Sequence, residues 1–118
     1  MIRDIQFRAY IKKIGVMLPV DSIHFDIECV GFNIDCNLYE HDFNEVVLMQ
    51  FTEKLDSFDN PIYEGDVLEN KDGECGYIVF EKGCFKLQAI TELSKFFMDK
   101  EFKIIGNAYE NPELLEVE

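Results

Sequence analysis

Cys29, Cys36, Cys75 and Cys84, with His24 and His41, supply enough donors for a zinc site. Their spacing argues against one. Structural zinc sites present ligand pairs about two to four residues apart, whereas six residues separate Cys29 from Cys36 and eight separate Cys75 from Cys84. Buried free thiols are the expectation for such cysteines in a cytoplasmic domain, and disulfides are not expected there. A nucleophilic centre would need a Ser or Cys with a histidine base and an orienting acid. Ser22, Ser57 and Ser94 sit in no elbow motif, and His24, between Ile23 and Phe25, reads as a partly exposed strand histidine. The seven glycines are scattered singly, so no loop can cradle a phosphate. Asp66, Asn70, Asp72 and Glu74 form the densest oxygen cluster, but at a spacing unlike a calcium loop. No catalytic set, metal site or cofactor site is expected, and the chain reads as a non-enzyme.

The elements that position these side chains come from a chain of 118 residues, the size of one domain, with 16 Phe and Tyr to fill a core. Charge divides it. The net is +3 over residues 1–20, −13 over 21–74 and −3 over 75–118. A total of −13 opposes contact with nucleic-acid phosphates and anionic lipid, so neither is an expected partner. No apolar run reaches ten residues and no basic-then-apolar leader follows Met1. A soluble cytoplasmic protein is therefore expected.

Residues 4–10 alternate, with Ile5, Phe7 and Ala9 on one face and Gln6, Arg8 and Tyr10 on the other, which is the period of a half-buried strand. Ile14–Val20 and Ser22–Glu28 read as further strands, the second with Ile23, Phe25 and Ile27 on one face. The weaker pattern from Cys29 to Phe43 predicts one strand and a connection. Val46–Phe51 is an apolar run suited to a strand buried on both faces. Thr52–Pro61 carries turn chemistry and predicts a loop joining two parts of one domain, residues 1–52 and 62–118. Gly65–Asn70, Cys75–Glu81 and Cys84–Ile90, divided by Lys71-Asp72-Gly73 and Lys82-Gly83, predict a three-strand meander whose middle strand is covered on both sides. A short helix over Thr91–Met98, a strand within Lys100–Tyr109 and a helical turn opened by Asn111 and Pro112 complete a mainly β chain. A small SH3-like barrel in the second part is its natural packing.

Four blocks carry a family resemblance: Ile5-Gln-Phe-Arg-Ala-Tyr10, Leu48-Met-Gln-Phe-Thr52, Pro61-Ile-Tyr-Glu-Gly-Asp-Val-Leu68 and Ile104-Ile-Gly-Asn-Ala-Tyr-Glu-Asn-Pro-Glu-Leu114. In that order, over nearly the whole chain, they resemble the YopX family of phage and prophage proteins. That family usually has Phe-Arg-Ala-Trp-Asp first and Thr-Gly-Leu-Lys-Asp centrally, where this chain has Tyr10-Ile11 and Thr52-Glu53-Lys54-Leu55. The resemblance implies a mostly β domain with an SH3-like barrel, encoded by a phage or prophage, and it implies no reaction. Within the blocks Phe7, Leu48, Phe51, Ile62 and Ile104 read as core, and Arg8 is expected to pair with a carboxylate of the 63–66 segment. Arg8, Tyr63, Glu64 and Asp66 form a candidate partner-contact patch. The resulting expectation is a non-enzymatic accessory protein that binds its own copies or a host or phage factor. The alternative is an acidic DNA mimic that inhibits a nucleic-acid enzyme.

Overall fold

The computed structural model describes residues 6–90 and 102–116, and the chain is mainly β. It divides between Gln50 and Phe51 into two compact units, so the boundary falls just before the loop that turn residues predicted.

In the unit of residues 6–50, β1 (Phe7–Ile11) lies between β2 (Val16–Pro19) and the first half of β6 (Val46–Leu55), antiparallel to both. Alternation delivers Ala9, Ile11 and Val46 to one core, where they meet Val30 and Phe32. These last two come from a second antiparallel sheet of β3 (Ser22–His24), β4 (Cys29–Ile34) and β5 (Asn37–Asp42), in that order. Two expectations are corrected here. The strand read over Ser22–Glu28 stops at His24, because residues 25–28 turn into β4 with Glu28 in the left-handed region at φ 53°, which leaves Phe25 77% exposed. The weak 29–43 segment is a complete hairpin closed by Asp35 and Cys36, at φ 51° and 68°.

In the unit of residues 51–116, the second half of β6 pairs with β7 (Pro61–Tyr63). β6 continues to Leu55, past the predicted loop start. Thr52 holds the irregularity that makes this possible: its hydroxyl donates to the Ile62 carbonyl at 2.8 Å and accepts the Lys54 N–H at 3.2 Å. Between Phe51 and Leu55 the register to β7 shifts, with Glu53 at φ 70°. The predicted meander is present as β8 (Asp66–Glu69), β9 (Cys75–Glu81) and β10 (Cys84–Ala89). With β11 (Lys103–Asn107) it forms a sheet ordered β10-β9-β8-β11, compatible with an SH3-like barrel. Lys82-Gly83, both at positive φ, make the two-residue hairpin turn whose twist suits the flanking strands. Ile62, Leu68, Ile78 and Phe102 are the core, with Ile104 packed at its edge. β9 is not covered along its whole length: Ile78 is buried and Tyr77 and Val79 on the other face are half-buried, but Phe80, two residues beyond Ile78 on the same face, is 50% exposed, its ring centroid 4.9 Å from that of its cross-strand partner Phe85. The helix predicted over Thr91–Met98 falls outside the described residues.

Candidate functional site

Two of the four sequence blocks converge in the unit of residues 51–116. Gly65, at φ 88°, turns β7 into β8. Its N–H donates to the Ile78 carbonyl at 2.8 Å, and its carbonyl accepts the Ala108 N–H at 2.8 Å. One residue thus ties the 61–68 block to β9 and to the turn after β11. That turn is built by buried Asn107, whose side-chain oxygen accepts the N–H groups of Tyr109 at 3.0 Å and Glu110 at 2.8 Å, while its amide donates to the Glu110 carboxylate at 2.9 Å. Asn111 opens the final helical turn, but its side chain does not cap it: its oxygen accepts the Asn107 N–H at 3.2 Å instead.

The knot presents Tyr109, 39% exposed, beside Glu64 and Tyr77. Partial burial, then the Glu64 carboxylate, then Tyr77 raise the Tyr109 phenol above its ordinary value, so it stays a neutral hydrogen-bonding hydroxyl. Tyr63 stands half-buried with its ring centroid 5.6 Å from that of Phe51. Asp66 is buried, and its carboxylate accepts the Tyr63 N–H at 2.8 Å. Of the four residues singled out from sequence, then, Tyr63 and Glu64 are partly accessible and Asp66 holds their turn from within. Arg8 is half-buried on β1 in the other unit, its Nη2 3.8 Å from the Met49 sulfur. Tyr77 and Tyr109 escaped sequence reasoning. The pairing of Val67 with Tyr77 brings the first beside the 61–68 block, and the bond from the Ala108 N–H to the Gly65 carbonyl brings the second.

The groups with catalytic potential are placed otherwise. Ser22 Oγ and His24 Nε2 lie 2.9 Å apart, a pair also missed, although two residues i and i+2 on one strand necessarily share a face. Among the described residues no acid hydrogen-bonds to the other nitrogen of His24, so the orienting group of a triad is absent from that set. Cys29 is buried with its thiol 3.6 Å from Glu40, and burial together with Glu40, Asp42 and Asp26 pushes its pKa up. Cys75, 3.7 Å from Glu69, is raised likewise by burial and that carboxylate. Nucleophiles and metal ligands need the thiolate, and these surroundings oppose it. In the oxygen cluster, Asn70 commits its carbonyl to the N–H groups of Asp72 and Glu74, both at 3.0 Å. An open groove of about 440 Å³ between Phe58, Lys71 and Lys103 adds no catalytic set, and Lys103 faces Glu69 at 3.8 Å.

Comparison with known proteins agrees with the β architecture. The YopX protein family model matches residues 6–116. The crystal structure of protein EF1440 from Enterococcus faecalis is similar in fold, with a TM-score of 0.68 and 24% identity over 96% of this chain and 99% of that one. No curated protein matches.

Proposed function

The chain belongs to the YopX family, and from that premise we propose that it is a non-catalytic phage or prophage accessory protein that works by binding another protein. The observation that carries this is the surface of Glu64, Tyr77 and Tyr109, built where the 61–68 and 104–114 blocks meet. Tyrosines give protein interfaces large rigid contact areas with a polar tip, and they are enriched among residues that dominate binding energy. The knot around Asn107 and Gly65 holds this surface before a partner arrives, which lowers the ordering cost of association. Cys29 and Cys75, kept protonated beside carboxylates, favour binding over covalent chemistry.

A photoreactive phenylalanine placed at position 109 tests the surface in the bacterium that carries the gene. The expected result is one discrete protein adduct, either with a second copy or with another protein, lost when Glu64→Lys is added. An adduct pattern unchanged by Glu64→Lys, or no adduct, overturns the assignment.

A further inference from the structure

β5 ends the β3-β4-β5 sheet, and its residues are exposed apart from half-buried His41. The two-residue loop Asp35-Cys36 makes Ile34 and Asn37 a hydrogen-bonded pair, and such pairs alternate with non-bonded ones along an antiparallel ladder. Tyr39 and His41 therefore turn their backbone groups inward to β4, while Leu38, Glu40 and Asp42 turn theirs outward. Two contacts agree with this register. The Phe43 N–H reaches the Glu28 carbonyl at 2.9 Å, as the next bonded pair should. The outward Asp42 N–H is taken by the Glu45 side chain at 2.8 Å, which closes the edge at that end.

What remains open is the backbone of Leu38 and Glu40, flanked by Leu38 at 75% and Tyr39 at 49% exposure. Its electrostatic setting is one-signed: residues 21–45 hold seven acids and no Lys or Arg. Antiparallel pairing of this edge with its own copy would bring Glu40 and Asp42 toward like charges, which disfavours a second copy as occupant. We infer that β5 accepts an extended basic segment of a partner protein as an added strand, with lysine or arginine opposite Glu40 and apolar side chains opposite Leu38 and Tyr39. Main-chain hydrogen bonds supply the affinity, and the charge complement selects the partner. This deepens the binding role proposed above and rests on it.

The probe is the blocked peptide Lys-Thr-Lys-Val-Val-Val-Lys-Thr-Lys, a palindrome that offers the same pattern in either strand direction, with a glutamate-for-lysine version as control. Titration into the isotope-labelled full chain is expected to shift amide signals concentrated over residues 37–42 and to slow hydrogen exchange at Leu38 and Glu40, with no response to the acidic peptide. Glu40→Pro removes an outward N–H and leaves the β4 ladder whole, so it should weaken binding at least tenfold. Leu38→Lys, which touches no backbone group, should weaken it as well and covers the case in which the proline variant does not fold. Shifts spread evenly over the acidic surface, unchanged exchange at Leu38 and Glu40, full affinity in the folded variants, or no binding of the basic peptide each overturn the proposal. Adduct formation from position 109, measured on the same preparation, separates the two conclusions. Retained adducts without peptide binding overturn the edge assignment alone, and retained peptide binding without adducts overturns the tyrosine surface alone.

Discussion

Asp56 carries more of the structure than an acid in a polar turn usually does. It is buried, and its two oxygens accept the N–H groups of Phe58 at 2.9 Å, Asn60 at 2.8 Å and Ile104 at 3.1 Å, so one carboxylate organises its own turn and fastens it to β11. Burial alone would raise its pKa, but these N–H groups and the Asn60 amide outweigh burial and hold it below the ordinary aspartate value. A carboxyl with a folded pKa below its unfolded one stabilises the fold fully above the unfolded value, near pH 4, and the contribution is lost as pH falls through the lower folded value. Asp56→Asn puts an NH2 donor where an oxygen now accepts, and should cost about 1–3 kcal/mol at pH 7. Urea midpoints of the two proteins should lie far apart at pH 7 and converge below about pH 4. Asn70 and Asn107 repeat the device, each with its side-chain oxygen on two N–H groups a few residues ahead. Sequence marks the Asp56 and Asn70 segments as turns and reads Asn107 into the strand within Lys100–Tyr109. It did not reveal that the Asx residues would be buried at their centres, because burial is decided by distant strands such as β11.

The hairpins show where strand-level reading succeeds and where it stops. Lys82-Gly83 and Lys71-Asp72-Gly73 announce their turns because glycine reaches positive φ at no steric cost. Asp35-Cys36 makes a turn of the same kind with no glycine, so the 29–43 hairpin was legible only as one strand and a connection. Phe25 and Ile27 alternate like strand residues yet sit in a turn, since alternation says nothing of whether a neighbouring strand exists to pair with. The tyrosine surface was half legible: Tyr63 and Glu64 lie inside a recognisable block, whereas Tyr77 joins it only through the β8–β9 register. The strained turn gives a direct test. Cys36→Gly relieves a left-handed non-glycine residue and should stabilise the chain by about 1 kcal/mol, read as a higher urea midpoint with an unchanged slope.

Across the chain, charge is the feature that sets behaviour in solution. Among the described residues the ion pairs Glu81–Lys86 and Glu69–Lys103 belong to the unit of residues 51–116, while in residues 21–45 the acids find His41 beside Glu45 at 3.9 Å and no Lys or Arg. Lys12, carried by β1's trailing turn, gives its ammonium to the Asn44 carbonyl at 3.2 Å. Unrelieved repulsion should therefore be screened by salt, and the melting temperature at pH 7 should rise by a few degrees between low and moderate sodium chloride. In the Glu40→Gln, Asp42→Asn double variant the rise should shrink. An acidic DNA mimic would show the same salt response, but it would also bind the phosphate-recognising groove of a nucleic-acid enzyme in competition with duplex DNA. The thiols have a practical use at this scale. Cys29 and Cys75 are muted by burial and carboxylates, whereas Cys36 and Cys84 face solvent, and these two fall one in each compact unit. The unmodified chain thus carries its own pair of attachment points for spin labels or dyes, a built-in molecular ruler with which the separation of its halves can be read before and after a partner binds.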